Sequence, residues 1–126
     1  MFKNSKAFSS FSVNDLQKAK KFYGEILGIE VKDNPMGIIE LHIESSNAIM
    51  VYPKPNHEAA TFTVLNFPVP DIEKAVDDLT AKGVVFEQYE GEIKTNEKGI
   101  SSNPQGPKIA WFKDPAGNIF SVIQER

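Results

Sequence analysis

The stretch Phe11-Ser12-Val13-Asn14-Asp15-Leu16-Gln17-Lys18-Ala19 returns 56 residues later as Phe67-Pro68-Val69-Pro70-Asp71-Ile72-Glu73-Lys74-Ala75. Each copy joins the apolar end of a predicted strand to an aspartate that can begin a helix. A motif that returns halfway along a chain of 126 residues predicts one supersecondary unit built twice. We therefore expect the binding site where the two halves meet.

The first copy lies in a predicted module of about residues 6–53. A strand is expected at 6–13, with Phe11 and Val13 on one face, and a helix follows from Asp15 to Gly28. Its apolar residues recur at helical spacing, which predicts a face that packs on a sheet. Strands at 29–32, 38–44 and 47–52 complete a β-α-β-β-β unit, with a turn at Ser45-Ser46.

A polar segment at about 53–60, with two prolines, is predicted to link this module to a second one at about 61–125. The second module is expected to have a strand at 61–67, a helix at 71–82 and strands at 84–89, 108–113 and 118–124. Its closing hairpin is offset by 71 residues from the first, because the loop at 90–107 is longer than its counterpart at 33–37. The prediction is one α+β domain, residues 1–126, made of two tandem modules.

Composition excludes several classes of function. The chain has 14 Lys and Arg against 17 Asp and Glu, for a net charge of −3, and no basic stripe, so nucleic acid is not an expected partner. It has no cysteine, which removes disulfides and thiolate chemistry. No apolar run has the length of a signal peptide or a membrane span, so we expect a cytoplasmic protein without a membrane partner.

Two further motifs support a family resemblance. Phe22-Tyr23-Gly24-Glu25-Ile26-Leu27-Gly28 and Trp111-Phe112-Lys113-Asp114-Pro115-Ala116-Gly117-Asn118, together with the repeat, resemble the glyoxalase, bleomycin-resistance and extradiol-dioxygenase superfamily, also called vicinal oxygen chelate. The resemblance spans the chain. It implies paired β-α-β-β-β modules that form a half-open barrel around a cavity, often in a homodimer.

The same resemblance assigns the metal ligands of the family to four strand positions. Here these positions hold Phe8, Met50, Val64 and Ser121. Phenylalanine and valine have no donor atom, a thioether is soft and a serine hydroxyl binds weakly, so none suits a hard or borderline divalent cation. We therefore expect no metal and no other cofactor. Glyoxalase I and ring-cleaving dioxygenase activities, which use the metal, are not expected.

The leading hypothesis is a metal-independent protein that binds or sequesters a small, partly apolar organic molecule. Aromatic and soft side chains would hold a flat ligand, and short polar ones would orient it. The alternative is that these side chains fill the barrel and leave no cavity. The predicted lining is Phe8, Ser10, Met50, Tyr52, Phe62, Val64, Asn66, Trp111 and Ser121.

A second hypothesis is a metal-free lyase or isomerase. Strand alternation places Glu40 and His42 on one face, where they could act as an acid–base pair, although such residues at a sheet end often only meet water. His57 is expected to be a solvated loop histidine. A third hypothesis, a relocated metal site that uses Glu40, His42 and His57, is less favoured because two histidines cannot reproduce the symmetric ligation of the family. The loop at 90–107 could be a lid, with Lys94 and Lys98 attracting an anion. A purely structural or interaction role also stays open.

Overall fold

The computed structural model describes residues 1–44 and 46–125, which form two compact units divided in sequence between Ala59 and Ala60. In each unit the described residues form one α-helix and one four-stranded mixed sheet. This confirms the α+β class and the β-α-β-β-β order of both modules.

The first unit contains β1 (Ser10–Val13), α1 (Leu16–Lys21), β2 (Glu30–Asn34), β3 (Ile38–His42) and β4 (Ile49–Pro53). The strand order is β1-β4-β3-β2, with β1 parallel to β4 and the other pairs antiparallel. A π-helical segment, Phe22–Ile26, continues α1, and the Leu27 amide donates to the Phe22 carbonyl five residues back. Ser45 of the predicted turn lies outside the described residues.

The second unit contains β5 (Thr63–Pro68), α2 (Ile72–Ala81), β6 (Ile100–Ser102), β7 (Lys108–Lys113) and β8 (Ile119–Gln124), with a short 3₁₀ turn at Gly91–Ile93. The strand order β5-β8-β7-β6 repeats the topology of the first unit, again with the outer first strand parallel to the last. Among the described residues the two edge strands of each sheet do not pair with each other, so each sheet is open.

The predicted strand at 84–89 is wrong. That segment makes one isolated bridge, Phe86 to Phe112, and the edge strand of the sheet is β6. The chain between them turns back on itself, because the Tyr89 and Thr95 backbones are joined by a hydrogen bond of 3.1 Å. This return brings residues 100–102, from within the predicted loop, alongside β7.

Both helices begin at the aspartates of the repeat. Asp15 accepts a hydrogen bond from the Lys18 amide at 3.1 Å, and Asp71 accepts one from the Lys74 amide at 3.2 Å. Each aspartate has an extended backbone and satisfies an amide that the first helical turn leaves without a partner. Within the described part of the chain, no helix has the length and hydropathy needed to cross a membrane.

The repeat also extends to strand register. Ser10 lies opposite Met50 in the first unit, and Asn66 lies opposite Ser121 in the second. These pairs are equivalent, because the outer strands differ by 56 positions in sequence and the last strands by 71. The two sheets are thus matched residue by residue near their parallel strand pairs.

One face of each sheet is buried and apolar. In the first unit this face packs with Tyr23, which is fully buried and lies edge-to-face against Phe11 at 6.0 Å. In the second unit Phe112 stacks on Phe120 at 5.8 Å and meets Phe86 edge-to-face at 5.6 Å. Burial alternates along β3 and β7, so their remaining side chains lie on the opposite face.

Candidate functional site

The four positions of the family metal ligands do not form a metal site here. Met50 and Ser121 lie on last strands, Val64 lies at a register shift in β5, and Phe8 precedes β1 with 61% of its surface exposed. The Ser121 hydroxyl donates a hydrogen bond to Asn66 Oδ1. Carbon, a thioether and an engaged hydroxyl are a poor donor set for a divalent cation. Over residues 1–44 and 46–125, no three His, Asp or Glu side chains come together as a metal-binding group.

A hydrogen-bonded carboxylate and imidazole lie on the polar face of the first sheet. Glu40 pairs across the sheet with Met50 on β4 and with Lys32 on β2. Its Oε1 lies 2.8 Å from His42 Nε2, and its Oε2 accepts a hydrogen bond of 2.8 Å from Asn34 Nδ2. An ionised carboxylate only accepts, so Nε2 carries the proton of this bond. That leaves Nδ1 of His42 as the ring nitrogen for proton exchange.

These contacts keep Glu40 ionised. The hydrogen bond from Asn34, followed by that from His42, lowers the pKa of Glu40 below its ordinary value of 4.5, and the charges of His42 and Lys32 act in the same direction. Because the folded-state pKa is the lower one, the stabilisation is present above pH 4.5 and is lost as the pH falls through the folded-state pKa. Glu40 is therefore suited to orient His42 rather than to donate a proton.

His57 is not the freely solvated loop histidine that the sequence predicts. Its Nδ1 lies 2.7 Å from the Ser12 hydroxyl of β1, and both residues are partly buried. Ser12 pairs across the sheet with Tyr52. Strand alternation places Ser12 on the same face as Ser10, but the linker composition held no signal that His57 would contact it.

A row of three residues crosses the face of the second sheet opposite its aromatic core, and its middle residue, Ser121, is fully buried. Asn66, Ser121 and Trp111 are neighbours on β5, β8 and β7. Trp111 is the counterpart of Glu40 at the offset of 71, so an indole ring replaces the carboxylate of the first unit. Tyr89 meets the Trp111 ring edge-to-face at 5.4 Å and an interplanar angle of 71°, which restricts the indole plane.

A pocket of about 390 Å³ lies at this tryptophan, within the second unit. Its volume falls in the range of small-molecule sites. Ser101 of β6 and Ile109 and Trp111 of β7 form its sheet side. Ser102, the last residue of β6, also lines it, and the remaining lining comes from the loop that the sequence predicts as a lid: Glu92, Ile93, Asn103, Pro104 and Pro107.

Other pockets of about 350 and 410 Å³ adjoin the β6–β7 hairpin. Their linings include Lys108, Gln124 and Glu125, and among the described residues they contain no aromatic side chain. Of these three pockets, the one at Trp111 best suits a flat organic molecule.

The first half of the predicted lid is anchored. Buried Thr95 accepts from the Tyr89 amide at 2.9 Å and donates to Gln88 Oε1 at 3.0 Å. Lys98 is expected from the sequence to attract an anionic ligand. Its Nζ lies 3.2 Å from Asp77 Oδ2 and 3.9 Å from Glu73 Oε1, both on α2. These carboxylates raise the pKa of Lys98 and offset its positive charge.

The predicted lining residues divide between the two units. Ser10, Met50 and Tyr52 lie on β1 and β4 of the first, and Val64, Asn66, Trp111 and Ser121 lie on strands of the second. Phe8 and Phe62 stand just before β1 and β5 and are 61% and 68% exposed. Sequence reasoning missed Ile93, Pro104, Pro107 and Ile109; alternation with Trp111 along β7 could have identified Ile109.

Comparisons with known proteins agree with this architecture. The sequence model of the Glyoxalase/Bleomycin resistance protein/Dioxygenase superfamily matches residues 8–122. The chain is 28% identical to the uncharacterized protein YraH of Bacillus subtilis over 126 residues, covering 89% of this chain and 91% of YraH.

Two solved structures illustrate the similarity of fold. A member of the same superfamily from Sphaerobacter thermophilus matches with a TM-score of 0.70 and 23% identity over 94% of this chain and 97% of its own. TnmS3, an antibiotic binding protein from a Streptomyces species, matches with a TM-score of 0.68 and 20% identity over 95% and 96%.

Proposed function

Because this chain belongs to the glyoxalase/bleomycin resistance protein/dioxygenase superfamily, we propose that it binds a small, partly apolar organic molecule without a metal ion. The pocket at Trp111 carries this proposal, because it joins a restricted indole ring to apolar walls and a few polar groups. The description of TnmS3 as antibiotic binding makes sequestration of such a molecule a reasonable role. The proposal includes a cytoplasmic homodimer, as the sequence and the resemblance lead us to expect.

In the proposed complex, a planar ligand lies against Trp111, and the side chains of Ile109 and Pro107 cover its edges. The Ser101 hydroxyl and the Asn103 side-chain amide line the pocket and can orient polar substituents, with Asn103 held in place because its Oδ1 accepts from the Gln105 amide at 2.9 Å. Asn66 and Ser121, the other predicted lining residues of this row, lie on the same face of the sheet but do not line this pocket, and Ser121 is fully buried.

Binding is testable with a simple probe, 3-tert-butylphenol, which is compact, aromatic and neutral. Trp111 is the only tryptophan of the chain, so its fluorescence reports on the pocket directly. We expect saturable binding by fluorescence and calorimetry in the presence of EDTA. Trp111→Leu should weaken calorimetric binding about three- to tenfold, because it removes the aromatic contact while keeping an apolar side chain.

Phe62→Leu is the matched control, because Phe62 is an exposed aromatic residue outside this pocket. It should leave the affinity unchanged. Absence of saturable binding, or equal losses in both variants, would refute the pocket as the binding site.

A second function, metal-free lyase or isomerase activity, is favoured by the bond of 2.8 Å between Glu40 and His42. In this proposal His42 Nδ1 accepts a proton from a carbon acid, and Glu40 holds the imidazole and stabilises its charged form. Asn34 in turn fixes Glu40. Both side chains are reachable by solvent, with 32% of His42 and 22% of Glu40 exposed.

Deuterium incorporation into aryl α-hydroxy ketones, followed by NMR with EDTA present, tests this second proposal. We expect His42→Gln to abolish exchange above the buffer rate, and His57→Gln to retain it, because His57 bonds to Ser12 instead. Exchange that survives in His42→Gln, or that never exceeds the buffer rate, would argue against catalysis by this pair.

A further inference from the structure

We infer that the pocket at Trp111 selects an organic cation, such as an aryl quaternary ammonium ion, over a neutral molecule of the same shape. This inference rests on the proposed binding function and adds the charge of the ligand. Its basis is the lining itself: Glu92 is the one charged side chain that the described residues contribute to it.

Two groups of the lining favour a positive charge. The face of an indole ring attracts cations more strongly than other aromatic rings do, and here Tyr89 restricts the indole plane. The Glu92 carboxylate shares the same pocket and can stand beside the charged end of the ligand. A cation that touches both is bound by two electrostatic contacts that a neutral molecule does not make.

The net charge of the part of the sequence that forms the pocket also favours a cation. From residue 60 onward the chain has seven Lys and Arg against ten Asp and Glu, whereas residues 1–59 have seven of each. The whole net charge of −3 thus belongs to the sequence that carries the pocket. Lys98, a cation of the same loop, is already paired with Asp77 and Glu73 on α2. The negative net charge of this part of the sequence favours the approach of a cationic ligand over an anionic one.

The test compares two probes of matched shape, (3-hydroxyphenyl)trimethylammonium and 3-tert-butylphenol, which differ by one positive charge. We expect the cation to bind about tenfold more tightly at low salt, by calorimetry and by Trp111 fluorescence. The advantage should shrink as NaCl is raised from about 0.05 to 0.5 M, because Glu92 is exposed and salt screens its charge.

Glu92→Gln removes the carboxylate while keeping the shape of the side chain. It should weaken binding of the cation about threefold and change the affinity for the neutral probe less. Glu97→Gln is the matched control, because Glu97 is an exposed acid of the same loop that does not line the pocket. It changes the net charge equally but should have less effect on the cation.

The outcomes separate the two proposals. Equal binding of both probes would overturn the selection for charge while supporting a ligand pocket at Trp111. Equal effects of Glu92→Gln and Glu97→Gln would overturn the assigned contact with Glu92. Binding of neither probe would overturn the binding function together with the inference.

Discussion

Replacing Phe112 with alanine is expected to lower the free energy of unfolding by about 3–5 kcal/mol. Phe112 is fully buried at the centre of the second sheet, stacked on Phe120 and in edge-to-face contact with Phe86. Truncation removes its apolar surface from the core and leaves a cavity that its ring neighbours can only partly fill. Urea unfolding followed by Trp111 fluorescence, next to Phe112 in sequence, would measure the loss.

Phe62→Ala is the control for this measurement, because it removes the same group from a side chain that is 68% exposed. Its effect should stay within about 0.5 kcal/mol. If Phe112→Ala does not fold, Phe112→Leu should still unfold at a lower urea concentration than the wild type. A Phe112→Ala protein as stable as Phe62→Ala would contradict the assigned core.

The repeat made much of the fold predictable. Its aspartates predicted where the helices begin, and Asp15 and Asp71 do cap them. The sequence offsets of 56 and 71 residues also relate the strand pairs of the two sheets. The pair Ser10 and Met50 in the first sheet is equivalent to the pair Asn66 and Ser121 in the second. Such features are local or follow from duplication, so one sequence contains them.

The edge strand of the second sheet was not predictable in the same way. Residues 100–102 are too few for a periodic signal, and they form β6 because the preceding segment returns to β7. The anchors of that return, such as buried Thr95 and its bonds to Gln88 and Tyr89, connect residues that no short pattern relates. Tertiary contacts decided this part of the fold.

The candidate site shows the same division. Alternation along β3 placed Glu40 away from the apolar core, because strand periodicity is local, and burial alternates in the same way along β7 at Trp111. The walls of the pocket could not be predicted from strand periodicity. Ile93, Pro104 and Pro107 lie near Trp111 only because a long loop folds back over the sheet. The contact of His57 with Ser12 likewise spans 45 residues and has no local signal.

That loop path depends on a glycine, and Gly99→Ala is expected to destabilise the protein by about 2–5 kcal/mol. A Cβ atom at residue 99 would lie 2.8 Å from Phe86 Cβ and 3.2 Å from the Glu87 carbonyl oxygen. The backbone φ of +86° adds the strain of a left-handed conformation, about 1–2 kcal/mol. Relieving the steric clash requires a shift of side chain or backbone, at about 1–3 kcal/mol.

Gly91→Ala isolates the steric part of this cost. Gly91 has nearly the same φ, +85°, but apart from its chain neighbours no atom of the described residues lies within 4 Å of the place that a Cβ atom would take there, so only the conformational strain applies. Chemical unfolding should therefore show Gly99→Ala to be the less stable variant by about 1–3 kcal/mol. Equal losses would mean that Phe86 moves aside without cost. Since Phe86 packs on Phe112, such freedom would also predict a smaller loss in Phe112→Ala, so the two measurements test the same aromatic core from opposite sides.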